Sequence, residues 1–416
     1  MSRIVLLFPG QGSQYVGMGK DSFKNHGIVR NTFEEAEEAL GINLRKICFE
    51  DYSNELVKTE NTQPAILTLS TAMFRVFMDR FKIEPEFMAG HSLGEFTALT
   101  CSGSISFSDA VKLVQKRGKF MQEAGECTHG AMLAISGFEG IDIKEECSKF
   151  NTDDKFAVVS NYNSPNQIVI SGHVDVVNSI KDKMEKYGAK ATLLKVSAAF
   201  HSPLMKLAEE RFKNEIAKYK FSNPKCTVIS NVTARPYCQG EEIAEILTSQ
   251  LTSAVRWEES LKFLAEENIE LAVEMGPGKI LKNLMKRNSY HIKTYSYDST
   301  DDIPILSKTL EQLILSKNII TKCLAAANST KNLNWDNDEY YEGVIKPYKE
   351  LQKIYDKYRI SKETPIYEDV KFAIELIKVI FNTKKVHIKE QTERFRQIFS
   401  DADNDTKKYF SDLKLI

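Results

Sequence analysis

From Arg3 to about Cys127, short apolar runs alternate with helical periods. Ile4-Val5-Leu6-Leu7-Phe8 is an uninterrupted apolar run of strand length and predicts a buried strand. From Pro64 to Phe81, Ile66, Leu69, Ala72, Met73 and Val76 share one helical face. Glu86 to Gly90 then reads as a second short strand, followed at once by a helix from about Leu93. Alternation of this kind is the signature of an α/β layer structure.

Between Gly130 and Ala198 the rhythm changes. The pattern predicts strands at Ala131–Ser136, Phe156–Ser160, Gln167–Ser171 and Lys190–Val196, with helices at Ile141–Phe150 and Val174–Tyr187. That β-α-β-β-α-β order is the split, ferredoxin-like unit. The α/β pattern resumes at Val228-Ile229-Ser230 and Leu271-Ala272-Val273-Glu274, so the small unit is expected as an insert. The expected division is residues 1–128 and 198–300 for the large layer, 129–197 for the insert, 301–334 for a linker or helix, and 335–416 for a helical extension. Residues 331–416 hold 17 Lys/Arg and 16 Asp/Glu with a single glycine, Gly343, which marks them as charged and helical. Two amphipathic stripes run through them, Val344, Tyr348, Leu351, Tyr355 and Tyr358, then Val370, Ala373, Ile374, Ile377 and Phe381. Such stripes are expected to pack onto their own protein.

Composition narrows the function classes. With 42% hydrophobic residues the chain can build a core, and 56 basic against 57 acidic residues leave a net charge of -1. No global field favours nucleic acid or an anionic membrane. The seven cysteines, at 48, 101, 127, 147, 226, 238 and 323, form no C-x-x-C pair, so neither a zinc site nor a disulfide framework is spelled out, and no metal is expected. A reducing, cytoplasmic setting is the simplest reading. No run approaches the roughly 20 apolar residues of a membrane span.

Gly90-His91-Ser92-Leu93-Gly94 has the form G-x-S-x-G, after a predicted strand and at the opening of a predicted helix. In that setting a serine is held exposed on a strained turn as a nucleophile. A glycine-rich turn with a capping serine is the other reading, and context alone leaves the two equal. A nucleophile at a helix start would find an oxyanion donor in the N–H of Leu93. Of seven histidines, His201 is the best placed base, because Ala198-Ala199-Phe200-His201-Ser202-Pro203 lies between a predicted strand and a predicted helix. The first strand runs into Phe8-Pro9-Gly10-Gln11-Gly12-Ser13-Gln14. Without a Walker lysine or a G-x-G-x-x-G this is a weak phosphate cradle; its glycines could instead bring the Gln11 backbone close to a ligand as a second oxyanion donor.

Together these segments resemble malonyl-CoA:acyl carrier protein transacylases and the related acyltransferases of polyketide synthases. The resemblance also takes in Thr62-Gln-Pro-Ala65, Glu95, Arg117-Gly118 with Met121-Gln122, Asn163-Ser-Pro165, Gln167-Ile-Val-Ile-Ser-Gly172, Ser230-Asn-Val-Thr233, Gln250, Val255-Arg-Trp257 and Glu274-Met-Gly-Pro-Gly278, in family order over about residues 1–300. It implies an α/β-hydrolase-like subdomain carrying the ferredoxin-like insert. It implies too that Ser92 takes the acyl group as an ester and that His201 is base and then acid, its ring oriented by the backbone carbonyl of Gln250. Arg117 then pairs the free carboxylate of malonate, for which a guanidinium offers two parallel charge-assisted bonds. Ala199 and Phe200 resemble the malonyl-selective form. Ala254 stands where the family carries proline, which would leave the backbone presenting the Gln250 carbonyl less restrained.

The expected function is transfer of malonyl from malonyl-CoA to the phosphopantetheine thiol of an acyl carrier protein, by a monomer with no permanently bound cofactor. The Ala-Ala-Phe-His form and the extension lean towards a free-standing enzyme serving a modular polyketide synthase. The same reaction in fatty-acid synthesis and an acyl hydrolase clearing stalled carriers are the competing readings; an idle scaffold is disfavoured by the intact Ser92, His201 and Arg117.

Overall fold

The structure, a computed structural model, describes residues 4–196, 198–361 and 365–400. The chain divides into two compact units, Ile4–Ile303 and the residues from Pro304 onward. Strands are β1 (Ile4–Phe8), β2 (Phe87–Gly90), β3 (Gly130–Ser136), β4 (Ala157–Ser164), β5 (Gln167–His173), β6 (Lys190–Leu193), β7 (Thr227–Ile229), β8 (Val255–Arg256), β9 (Leu271–Glu274) and β10 (Lys293–Ser296).

The first sheet has the order β10-β9-β1-β2-β7 with every pair parallel. Its central strand is buried along its whole length, as expected for a parallel strand covered on both faces. Val5 and Leu7 pack in one cluster with Trp257, Leu261 and Leu281. Leu7 is in register with Ala89 on one side and Glu274 on the other, so β1, β2 and β9 end at the same edge. The loops carrying Gln11, Ser92 and Gly276 leave from that edge, where open α/β sheets bind their ligands. Helix Leu93–Cys101 follows β2 after two residues. A Cβ on Gly94 would lie 1.9 Å from the Phe8 carbonyl oxygen, so glycine lets the first turn of this helix sit directly on β1.

The second sheet has the order β6-β3-β5-β4-β8 and is mixed. Its first four strands are antiparallel, and β8 joins β4 in parallel. Alternation sorts its faces: Leu133, Ile135, Ile168 and Ile170 pack with Val177, Ile180 and Met184 of helix Val174–Lys186, while Met132, Ala134, Gln167 and Val169 line a cavity. Strand β6 stops at Leu193, three residues before the expected end. The Leu194 N–H still donates to Met132 O (2.9 Å), but Leu194 and Val196 then turn to the cavity wall. Two strands escape sequence pattern: β8 has two residues, too few for periodicity, and β10 is the polar edge segment Lys-Thr-Tyr-Ser. The long helix begins at Thr59, five residues before Pro64; Gly118 packs on that first turn, where a Cβ would lie 2.5 Å from Thr59 O.

The second unit is helical. Helix Asp302–Ser329 occupies most of the segment expected as a linker or helix, and its Ile319, Ile320, Cys323, Ala326 and Ala327 enter the unit's core. Helices Lys346–Ser361 and Tyr367–Thr383 turn Leu351, Tyr358, Val370, Ala373, Ile374, Ile377 and Phe381 into the same core, with Val344 beside them and Tyr348 and Tyr355 partly buried against it. Lys384 Nζ donates to Ala327 O (2.6 Å) and Thr330 O (2.9 Å), satisfying carbonyls at a helix end. The expected extension beyond Ser400 lies outside the described residues. Among the described residues no helix is long and apolar enough to cross a membrane.

Gly94→Ala should destabilise the protein by about 3 kcal/mol, because the added methyl meets backbone rather than a yielding side chain; urea unfolding measures this.

Candidate active site

Ser92 sits between β2 and helix Leu93–Cys101 with φ 51° and ψ -104°, a conformation that non-glycine residues adopt only under constraint. The constraint is Asn231, whose Oδ1 accepts from the Ser92 N–H (2.7 Å) while its Nδ2 donates to Gly90 O (2.7 Å). One side chain thus holds both sides of the turn. Gly10 lets the loop after β1 reach the same turn, since a Cβ there would lie 2.3 Å from His91 O.

His201, itself at φ 57°, brings Nε2 to 2.8 Å from Ser92 Oγ. Its Nδ1 lies 2.8 Å from the backbone carbonyl of Gln250. A carbonyl only accepts, so Nδ1 carries the proton and the Nε2 lone pair faces the serine hydroxyl. Burial pushes the His201 pKa down to about 3, the neighbouring Arg117 charge adds to this, and the Gln250 carbonyl opposes it. The ring is therefore neutral at pH 7 and ready to take the Ser92 proton. The carbonyl is carried on a turn closed by Gln250 N–H to Ile246 O (2.9 Å) and Leu251 N–H to Thr248 O (3.2 Å), so this backbone is tied down without a proline at Ala254.

Arg117, in helix Phe107–Thr128, is 1% exposed. It donates from NH1 to Gln63 Oε1 (2.9 Å), and from NH2 to Gln250 Oε1 (2.8 Å) and Ser92 Oγ (3.2 Å), with its carbon 5.1 Å from the Phe96 ring centre. Its Nε has no partner among the described residues. All three acceptors are neutral. Burial lowers its pKa to about 9, with the buried Glu95 charge opposing the shift, so it remains cationic at pH 7.

Among the described residues, neither the Gln11 nor the Leu93 N–H has an acceptor within the protein. Both residues line a cavity of about 270 Å³ with Ser92, His201, Arg117, Met121 and Phe200. Of the two residues read as selectivity positions, Phe200 lines this cavity and Ala199 does not; Ala199 Cβ is buried where a Cβ on Gly130 would reach, 2.5 Å away. Helix Ile280–Arg287 supplies Ile280, Leu281 and Leu284 to the opposite wall.

The arrangement can serve serine acyl transfer: a hydroxyl against a neutral imidazole, two N–H donors free among the described residues, and a buried cation. Residues 5–301 match the acyl transferase domain family. A malonyl CoA-acyl carrier protein transacylase of Bacillus subtilis is 36% identical over 395 residues, 94% of this chain and 99% of that protein. The chain belongs to the malonyl CoA-acyl carrier protein transacylase family. The solved transacylase of Coxiella burnetii has a TM-score of 0.71 at 37% identity, covering 74% of this chain and 98% of that one. A malonyl-transacylase solved with a holo type II polyketide synthase acyl-carrier protein has a TM-score of 0.70 at 37% identity, covering 74% of this chain and all of that one.

Several residues of this transacylase site had no role in the sequence reading: Asn231 at the turn, Gln63 on Arg117, and Glu95 and Tyr237 behind Gln250. Glu95 carried a signal. It is a carboxylate inside the otherwise apolar or small helix start Leu93–Ala98, and a buried carboxylate needs partners. His91 faces away from the hydroxyl, with Nε2 2.9 Å from Asn163 Oδ1.

Because the base stays neutral far below the ordinary histidine range, kcat/KM for loading of Ser92 should hold between pH 7 and pH 5. A histidine at its ordinary pKa would lose about 20-fold over that interval as it protonated; an acid limb near pH 6.5 would contradict the neutral buried ring.

Proposed function

We propose that this transacylase moves malonyl from malonyl-CoA to the phosphopantetheine thiol of an acyl carrier protein through a malonyl-Ser92 ester. Ser92 Oγ attacks the thioester carbonyl while His201 Nε2 takes its proton. The oxyanion is met by the N–H groups of Gln11 and Leu93, and Arg117 NH2, already on Ser92 Oγ, favours negative charge there. Coenzyme A leaves as the thiol with the proton from His201. The carrier thiol then attacks the ester, His201 now taking the thiol proton and returning it to Ser92 Oγ.

The observation that carries the malonyl assignment is Arg117: a guanidinium buried beside the nucleophile, with only neutral hydrogen-bond partners among the described residues, has its charge available for the acyl group's carboxylate. The same residue favours transfer over hydrolysis, since it would hold a carboxylated acyl chain in place until a thiol arrives. We also read the first sheet and its helices as α/β-hydrolase-like, supported by the strand–turn–helix at Ser92. We read residues 130–193 as ferredoxin-like, supported by the order β6-β3-β5-β4, in which the fourth strand of the unit lies beside the first. A polyketide synthase carrier is our proposed recipient, supported by the helical unit after Pro304 and by the likeness to a transacylase solved on such a carrier.

Radiolabelled malonyl-CoA should leave stable label on wild type and none on Ser92→Ala; prompt release as free malonate from wild type would favour the hydrolase. Arg117→Ala should weaken malonyl loading by about 3–5 kcal/mol, the cost of burying a charge without its partner, and shift preference towards acetyl. Unchanged malonyl preference would remove Arg117 from the acyl site. Comparing loading rates on a polyketide synthase carrier and a fatty-acid carrier tests the choice of recipient.

A further inference from the structure

Behind the reacting atoms lies a buried chain of polar groups that the transfer steps do not use. Glu95 is fully buried on helix Leu93–Cys101. Its Oε2 accepts from Gln250 Nε2 (2.6 Å) and from the Asn231 N–H (3.1 Å), and its Oε1 accepts from the Tyr237 hydroxyl. Gln250 Nε2 also donates to Ser92 O (3.2 Å), and Gln250 Oε1 accepts from Arg117 NH2 (2.8 Å). Among the described residues Glu95 and Arg117 make no direct ion pair; the Gln250 amide stands between them.

We propose that Glu95 is a positioning residue for malonyl selectivity, holding the Gln250 side-chain amide in the one orientation that turns its oxygen onto Arg117. The inference rests on the reading of Arg117 as the group that takes the acyl carboxylate. An ionised carboxylate only accepts hydrogen bonds, so it compels the NH2 end of the amide to face it. Were the amide turned over, its NH2 would meet the guanidinium NH2, donor against donor, and Arg117 would be driven off the position beside Ser92 Oγ. The backbone carbonyl of the same Gln250 holds His201, but main chain does not turn with the side-chain amide. Loss of the Glu95 contact should therefore act on malonyl more than on acetyl, while the hydrogen bonds that place His201 against Ser92 and the Gln250 carbonyl persist.

Geometry and charge make opposite demands, which separates this role from a counter-ion for Arg117. Glutamine at 95 keeps length and places its carbonyl oxygen where Gln250 Nε2 and the Asn231 N–H converge, while its NH2 finds the Tyr237 oxygen. Aspartate keeps the charge but is one methylene short of spanning Tyr237 and Gln250. Burial already pushes the Glu95 carboxyl up to about 7, with the Tyr237, Gln250 and Asn231 hydrogen bonds and the Arg117 charge opposing, so a neutral group there is not foreign to the site.

The test measures kcat and KM for malonyl-CoA and acetyl-CoA, with a holo acyl carrier protein as acceptor, for wild type, Glu95→Gln, Glu95→Asp, Glu95→Met and Arg117→Ala, each checked for folding by thermal unfolding. Glu95→Gln should keep the malonyl-over-acetyl ratio within about threefold of wild type. Glu95→Asp should lower it at least about tenfold, chiefly through KM for malonyl-CoA, as one buried hydrogen bond lost implies. Glu95→Met, which fills the space and offers no acceptor, should behave as Glu95→Asp does and decides the question if that variant does not fold. The proposal is overturned if the ratio follows charge, with Glu95→Asp normal and Glu95→Gln collapsed. It is overturned equally if Glu95→Asp and Glu95→Met lose both substrates in parallel, or neither, while Arg117→Ala loses malonyl preference. An Arg117→Ala enzyme that keeps its malonyl preference defeats instead the reading of Arg117.

Discussion

Burying a guanidinium is expensive unless its charge is answered, and among the described residues Arg117 donates only to neutral oxygens, those of Gln63, Gln250 and Ser92, with the Glu95 carboxyl one amide further away. That imbalance is the constraint around which the site is organised. The two glutamines hold the side chain without cancelling it, and Phe96 gives it an aromatic face. Burial lowers the basicity of His201 and the same cation adds to it, so the imidazole stays neutral beside it. On the proposed reading of Arg117, a carboxylate entering the cavity would complete a charge pair, and so distinguish malonyl from an acyl group of similar size without charge.

Holding that cation next to a nucleophile requires rigidity from several directions. Ser92 and His201 both occupy positive φ, each at an energetic cost of about 1–3 kcal/mol that the surroundings must offset. Asn231 locks the serine turn, the Gln250 backbone carbonyl locks the imidazole, and Gly94 seats the following helix on β1. The second sheet closes the other side of the cavity with one face of β3 and β5, while the opposite face of those strands holds a separate apolar core. Alternation along two strands thus builds a core and a cavity wall from alternate residues of the same segments.

Much of this was legible in the sequence because it follows from short-range rules. An uninterrupted apolar run announced β1, short apolar runs between helical periods announced β3 to β5, and G-x-S-x-G between a strand and a helix announced the turn at Ser92. What escaped depends on distant partners. Strand β8 exists through its register with Asn161 and Tyr162, not through any pattern of its own. Asn231, 139 residues from Ser92, lies in a segment that carries the family resemblance but has no role until the fold brings it to the turn. Gln250 was singled out for its backbone, and nothing in the sequence shows that its side chain also joins Glu95 to Arg117. In the helical unit, both apolar stripes were readable by period, whereas the part played by Asp302–Ser329 in that core was not, since its pattern does not say which neighbour it will meet.

If Arg117 receives the malonyl carboxylate while Ser92 carries the acyl group, both contacts must coexist in the loaded enzyme. A crystal structure of the enzyme trapped as the malonyl-Ser92 ester tests it most directly. The malonyl carboxylate should lie within hydrogen-bond distance of the Arg117 guanidinium, with the ester carbonyl oxygen at the N–H groups of Gln11 and Leu93. A carboxylate turned to the cavity mouth, with Arg117 still bound only to Gln63, Gln250 and Ser92, would contradict it.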